Sequence, residues 1–371
     1  MRIGIVTRRV GPHDGQGRVN MEVAREALRQ GFDVRLFCES ADPALRDEGA
    51  EIVALPPPAF LPSRLLRDQV FAARSAAALR GCDAVLANGF ATWARCDVNA
   101  VHFVHRAWAA SPHHPWRQHR DARSLYARLY ASVNARLERG AFRRARRVVA
   151  VSQKLKAELV AGGVPAERIT TILNGVDTAE FAPGAADRAG LGLPDGVKIA
   201  LFAGDLRTSR KNLDSVLMAL AKSSPHLHVA IAGRHEATGW PAMADRLGVA
   251  ERVHFLGFRT DMPALMRAAD FFVFPSRYEA CSLVLLEALA SGLPVITAAS
   301  AGGAEIVTEN VGFVLADSED VDGLAASMTR LAENDGVRLG MRAAARRLAT
   351  AHGWQAMARH YLALLEAAQH A

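Results

Sequence analysis

The opening pattern of this chain is written twice. Residues 2–7 form a short apolar run, 11–17 a glycine-containing loop, 18–30 a stretch with helical apolar spacing and 33–39 a second apolar run, which together read as a βαβ unit. A segment of Pro, Gly, Ala and Asp follows at 183–196, and then the same order restarts: apolar 197–203, a polar basic loop at 204–211, helical spacing over 212–222 and apolar 227–232. Strand, helix and strand in succession make parallel strands with a crossover, so a chain that starts this way twice is directed to two parallel-sheet units. Further strands are expected at 84–88, 98–104, 147–151 and 169–173 in the first half, and at 253–256, 271–274, 294–297 and 312–315 in the second. A long helix-favouring stretch covers 117–144. The spacing of Met357, Tyr361, Leu364 and Leu365 predicts a last amphipathic helix over 354–368, which needs a surface to cover.

The fold expected is α/β, with two Rossmann-like doubly wound domains facing a cleft. The first spans 1–183, a linker 184–196, the second 197–353, and a crossover helix at 354–371 returns toward the first. With 371 residues the chain exceeds one ordinary core, which agrees with two domains. Charged residues make up 22%, and no stretch of about 18 uncharged apolar residues occurs, which excludes a membrane span by hydropathy. The opening apolar run stops at Arg8 and Arg9 without a cleavage site, so a cytoplasmic protein is expected. Cys38, Cys82, Cys96 and Cys281 are scattered with no C-x-x-C pair, as suits reduced packing thiols rather than a disulfide or zinc framework.

The net charge of +7 is unevenly spread: residues 1–185 carry 27 Lys and Arg against 18 Asp and Glu, the rest 18 against 20. From Arg117 to Arg147, ten arginines face only Asp121 and Glu138. Such a stretch suits an anionic membrane surface or a phosphorylated acceptor, and equally a solvated helix face. As a basic surface-binding module it would need exposed aromatics to stack bases; Tyr126 and Tyr130 are few, so no nucleic acid is expected.

The chemistry concentrates in the second half. The apolar run 271–274 ends at Pro275, and the loop 276–281 leads into an apolar helix starting near Ser282, a residue suited to an N-cap. A helix start at the C-terminal edge of a parallel strand offers unpaired N–H groups and partial positive charge to a diphosphate. Glu279 in the loop and Glu287 in the helix stand with seven residues between them, where carboxylates accept strong hydrogen bonds from sugar or ribose hydroxyls.

The run RYEACSLVLLEALASGLPVI from Arg277 to Ile296 resembles the Glu-x7-Glu signature of family 4 of the retaining glycosyltransferases, which have the two-domain GT-B fold. ILNGVDTAEF from Ile172, FLGF from Phe255 and AADFFVFPS from Ala268 resemble further segments of that family. The resemblance implies that Glu279 contacts the transferring sugar and Glu287 the donor ribose, while backbone N–H groups of Ser282, Leu283 and Val284 hold the distal phosphate. It makes Lys211 the cation that neutralises the leaving diphosphate. Gly204-Asp205 stands where many relatives have Gly-Arg, so the companion cation falls to Arg207 or Arg210, and Arg207 is preferred. His105, preferred over His102, would end a strand beside the sugar; Gly15 and Gly17 would admit backbone to the donor; Phe258 would flank the base.

Two other departures are Ala280-Cys281-Ser282 in place of the frequent Gly-Phe-Gly, and Asn212 in place of Gly. They are similar to those of relatives that glucosylate lipopolysaccharide cores. The implied reaction moves a hexose from a nucleotide-sugar donor, UDP-linked, to a glycan or glycolipid acceptor, with retention by same-face attack. No cofactor and no metal are expected, because the cationic side chains and helix start answer the charge on the leaving phosphate.

Two rival enzyme classes are weaker. Gly15-Gln-Gly-Arg-Val-Asn20, with Glu39 about twenty residues on, partly imitates the dinucleotide fingerprint of an NAD-dependent oxidoreductase. The third glycine is Asn20, however, and seven residues separate Thr7 from Gly15. A GT-B sugar-nucleotide epimerase would share the architecture without needing an acceptor.

Overall fold

The computed structural model describes residues 1–12, 14–236 and 238–369. It divides into two compact units, Met1–Gly175 with Trp354–Ala371, and Val176–Gly353.

In the first unit a seven-stranded parallel sheet has the order β5-β3-β1-β6-β7-β8-β9. Its strands are β1 (Arg2–Val6), β3 (Asp33–Cys38), β5 (Glu51–Ala54), β6 (Ala84–Asn88), β7 (Val98–Val101), β8 (Arg147–Ala150) and β9 (Ile169–Thr171); β2 (Arg9–Val10) and β4 (Ser40–Ala41) pair separately. The central β1, β6 and β7 are nearly all buried, as a parallel sheet covered on both faces demands. The unit's helices are α1 (Gly15–Arg29), α2 (Ala44–Asp47), α3 (Arg64–Ala78), α4 (His105–Ala110), α5 (Pro115–Gln118), α6 (Ala122–Arg144) and α7 (Gln153–Ala161).

The stretch expected as one helix over 117–144 is broken. Asp121 caps Ser124 N, and Ser124 Oγ accepts from Asp121 N, so this reciprocal box starts α6 at Ala122 and leaves α5 a single separate turn. One of the two acids among the arginines is thereby spent on a helix cap.

The second unit carries a six-stranded parallel sheet of order β12-β11-β10-β13-β14-β15. These are β10 (Lys198–Ala203), β11 (Leu227–Ala232), β12 (Val253–Phe255), β13 (Phe271–Phe274), β14 (Val295–Ala298) and β15 (Gly312–Leu315). Around them lie α8 (Leu213–Lys222), α9 (Trp240–Arg246), α10 (Met262–Ala268), α11 (Leu283–Ala290), α12 (Val321–Glu333) and α13 (Asp335–Thr350). The segment 176–196, read as the end of the first domain and a linker, packs with this unit: Val176, Phe181 and Leu193 join its core.

Helix α14 (Trp354–Gln369) lies against α1 within the first unit, burying Met357, Tyr361, Leu362 and Leu365. Leu364 is only half-buried. A Cβ on Gly175 would sit 2.6 Å from Trp354 Cα, so the two stretches meet where only glycine fits. Among the described residues no helix is long and apolar enough to cross a membrane. The four cysteines are free, and burial pushes the thiols of Cys38 and Cys96 up to about 11 and about 12.

Candidate functional site

Strands β10 and β13 are neighbours, so the loops leaving their C-terminal ends run side by side. After β10 the chain forms a 3-10 turn at Ser209–Lys211 and enters α8 through Asn212, whose φ of 64° is left-handed. Glycine adopts that conformation freely; asparagine is among the few side chains that tolerate it. Here the buried Asn212 amide also donates to Pro275 O (2.9 Å) and Ser318 O (2.7 Å), which ties the two loops together.

The loop after β13 grips the same turn. Ser276 Oγ and Arg277 N both donate to Arg210 O at 2.9 Å. The Arg277 side chain turns inward, 6% exposed, and donates to Asp214, Glu319 and Ser209 O. Burial alone would lower its pKa, but the hydrogen bonds it donates to Glu319 and Asp214 outweigh that and hold it above the ordinary arginine value. From the other side the loop after β14 holds Glu279: Glu279 N donates to Ser300 O, Gly302 N to Glu279 O, and Ser282 N to Gly302 O.

Held this way, Glu279 Oε1 lies 2.6 Å from Lys211 Nζ, 3.3 Å from Ser276 Oγ and 4.0 Å from Arg210 Nε. Lys211 Nζ also stands 5.0 Å over the Phe274 ring. The first turn of α11 follows directly. Leu283 and Val284 are its first helical residues, and amides there have no partner within the helix. Ser282 holds the N-cap position, but its hydroxyl makes no capping bond. Glu287 sits half-buried one turn further along. Elsewhere in this unit the Phe258 ring is exposed, with the Arg234 guanidinium 5.2 Å above it.

Arg207 does not join the cluster. Its guanidinium is 65% exposed and forks onto Asp205 (2.8 and 2.9 Å), and that hydrogen bonding holds the Asp205 carboxyl below its usual range. Arg210 is the arginine brought to Lys211 and Glu279. Among the described residues no three His, Cys, Asp or Glu side chains gather as metal ligands. The Asp-x-Asp triplet at Asp320-Val321-Asp322 is committed elsewhere: Asp320 caps α12 through Gly323 N, and Asp322 pairs with Lys222 at 2.6 Å.

In the first unit, β7 stops at Val101, and His105 opens helix α4 rather than ending a strand. Its ring is held by Glu138, a contact with no signal in the sequence beyond an acid among arginines. His102 is a different environment: burial pushes its pKa down to about 4, and its Nε2 finds no hydrogen-bond partner among the described residues. Gly15 and Gly17 lie in the first turn of α1, not in an open loop, with Gly17 N bonded to the Asp14 cap at 2.6 Å. Asn20, in the place of the third fingerprint glycine, is buried and pairs its amide with that of Asn88.

Two parallel-sheet units, the second with a cation–carboxylate cluster and a helix start at the C-terminal ends of its strands, have the architecture of the GT-B fold. WaaG, a glycosyltransferase involved in lipopolysaccharide biosynthesis, superposes with a TM-score of 0.79 over 98% of this chain and 99% of its own, at 21% identity. Anabaena HepE in complex with UDP-glucose gives 0.72 over 99% and 100%, at 22% identity. The model for Glycosyltransferase Family 4 matches residues 13–180, and that for Glycosyl transferases group 1 matches 185–348. The chain belongs to the family 4 glycosyltransferases.

Among curated relatives, the D-inositol 3-phosphate glycosyltransferase of Mycolicibacterium gilvum is 37% identical over 171 residues, 43% of this chain and 38% of that protein. The protein of the same name from Salinispora arenicola is 34% identical over 209 residues, 50% and 47%. The match thus spans less than half the length of either relative.

Proposed function

We propose that this protein transfers a hexose from a UDP-sugar to a cell-envelope glycan or glycolipid, with retention of configuration and without a metal. The observation that carries the reading is the Lys211–Glu279 contact beside the first turn of α11. Cleaving a sugar–diphosphate bond builds positive charge at the anomeric carbon and negative charge on the leaving phosphate. Lys211, Arg210 and the amides of Leu283 and Val284 answer the second charge. Glu279, released from Lys211 as the diphosphate takes its place, accepts from the sugar hydroxyls, and Glu287 from the ribose. Arg210 takes the companion role because Arg207 is committed to Asp205.

UDP-sugars should raise the melting temperature more than GDP- or ADP-sugars, a ligand at 100 times its Kd adding about 2.7 kcal/mol. No stabilisation by any of them would overturn the reading. Glu287→Ala should weaken UDP binding about 10- to 100-fold in calorimetry, the range for a hydrogen bond to a charged group, with the fold intact by circular dichroism. An unchanged Kd would remove the ribose role. Transfer should continue in excess EDTA; a loss restored by Mg²⁺ or Mn²⁺ would reject metal independence.

A membrane-bound acceptor is supported by the outer face of α6. Leu125 and Leu129 are 54% and 53% exposed. At about 100° per residue, Arg136, Arg139 and Arg143 share their stripe, all three exposed. Arg144 is turned away, packed against Trp93. Apolar residues in one half of the stripe and cations in the other suit an anionic bilayer surface. Reversing Arg139 and Arg143 to Glu should weaken binding to anionic vesicles by about 30-fold or more, each contact being worth roughly 1 kcal/mol. Equal sedimentation of the unaltered protein with neutral and anionic vesicles would reject the membrane role.

A further inference from the structure

Helix α6 has a second face, and it points at one histidine. Tyr130, Asn134 and Glu138 succeed one another at four-residue spacing, opposite the exposed arginine stripe. Glu138 is buried, and both of its oxygens are engaged by His105: Oε1 lies 2.6 Å from the ring Nδ1, and Oε2 accepts from the backbone N–H at 3.1 Å. Edge contacts from Phe103 (4.9 Å) and Tyr130 (5.6 Å) pack the imidazole. Tyr130 is itself fixed, since its hydroxyl donates to the buried Asp68 at 2.9 Å and Asp68 pairs with Arg8. Asn134 donates back to Tyr130 O at 2.9 Å.

We propose that Glu138 is the positioning residue for His105, fixing the imidazole so that Nδ1 carries the proton and Nε2 is the nitrogen presented to substrate. The inference rests on the reading of His105 as the histidine beside the sugar. Its chemistry follows from the two oxygens. A carboxylate accepts and cannot donate, so the short ring contact requires the proton on Nδ1. In the neutral ring Nε2 then holds a lone pair that accepts from a hydroxyl; in the protonated ring it donates along the same line. The second bond, to the backbone, fixes where the ring starts, so the carboxylate sets both tautomer and direction. Among ten arginines, selection for charge alone would leave an acid paired with one of them at the surface; this one is buried against a histidine from another helix.

The test has a readout that does not depend on transfer. In protein labelled with ¹⁵N-histidine, long-range proton–nitrogen spectra at mildly alkaline pH should show the His105 resonance, assigned by its loss in His105→Gln, as the Nδ1–H tautomer. An Nε2–H tautomer in the unaltered protein would overturn the proposal without any Glu138 variant having to fold. Glu138→Gln offers one oxygen and one amide group to two donors, so the two bonds cannot both survive. It should release the ring toward the Nε2–H form and lower kcat about 10- to 100-fold, by analogy with the loss seen when the partner orienting a metal-bound histidine is removed. Affinity for UDP should be unchanged, because Glu287 and the first turn of α11, assigned to ribose and phosphate, lie in the other unit. Wild-type tautomer and kcat in Glu138→Gln would refute the positioning role. If His105→Ala leaves kcat intact, the sugar-side reading of His105 fails, and the tautomer result still decides what Glu138 does to the ring.

Discussion

Lys211→Ala is expected to lower kcat/KM by about 10²–10³, the range for losing one preorganised group aimed at developing charge. The ammonium is well placed for that role, at 15% side-chain exposure, 2.6 Å from Glu279 and over the Phe274 ring. Charges are worth more in such a partly dehydrated setting than in water. Removing the lysine also deprives Glu279 of its short contact and leaves the carboxylate repelling the leaving diphosphate. Most of the loss should fall on kcat, since the charge on the phosphate grows toward the transition state, and the Kd for UDP should change less. Lys211→Arg should restore only part of the rate, because a planar fork does not replace a compact point charge. A fall of less than about fivefold, outside the range for such a group, would remove Lys211 from the chemistry.

The second large effect is on stability. Arg277→Ala leaves Asp214 and Glu319 facing each other across the space of a guanidinium that had satisfied both. Breaking a buried pair by removing one partner costs about 3–5 kcal/mol. Asp214 and Glu319 are 27% and 41% exposed, so water screens part of the repulsion and the lower end, about 3 kcal/mol, is expected. At about 2–4 °C per kcal/mol for a unit of this size, the second unit should melt roughly 6–12 °C lower in calorimetry. Because Arg277 also braces Ser209 O, activity should fall before the unit melts. A shift of under about 2 °C would mean that the three charges are not coupled as their geometry requires.

Parts of this arrangement were legible in the sequence for physical reasons, and the rest were not. The apolar cores of β1, β10, β11 and β13 announce themselves because each is buried on both faces, whereas β5, at a sheet edge with exposed terminal residues, has only the short apolar run 52–55 ahead of three prolines. The Glu279–Glu287 spacing stands out beside a helix start, while Lys211 is singled out by the family resemblance alone. The choice between Arg207 and Arg210 could not be read from the sequence, since Arg207 precedes the Ser209–Lys211 turn and Arg210 lies within it, and only the fold of the loop decides which one faces Glu279. Asn212 looked like a departure from glycine, and its left-handed φ shows that it meets the same backbone demand. Arg277 and Glu138 were hidden for a common reason. Each works through partners distant in sequence, 42 positions away for Glu319 and 33 for His105, and carries no local periodicity. The unit boundary at Gly175 was missed because a polar, proline-containing segment reads as linker even when a few apolar residues anchor it to a core.

The packing of α14 on α1 sets an order of events during synthesis. Helix α1 leaves the ribosome early, yet the helix that covers it emerges only after the whole of Val176–Gly353 has been made. At about 5–20 residues per second, making Val176–Gly353 alone takes roughly 10–40 seconds. Through that time the surface that will receive Met357, Tyr361 and Leu365 stays open, while the second unit, continuous in sequence, can close its core first. The first half of the chain to be made is therefore the last to be finished, and a chaperone that shields apolar helix faces has its natural moment of action there.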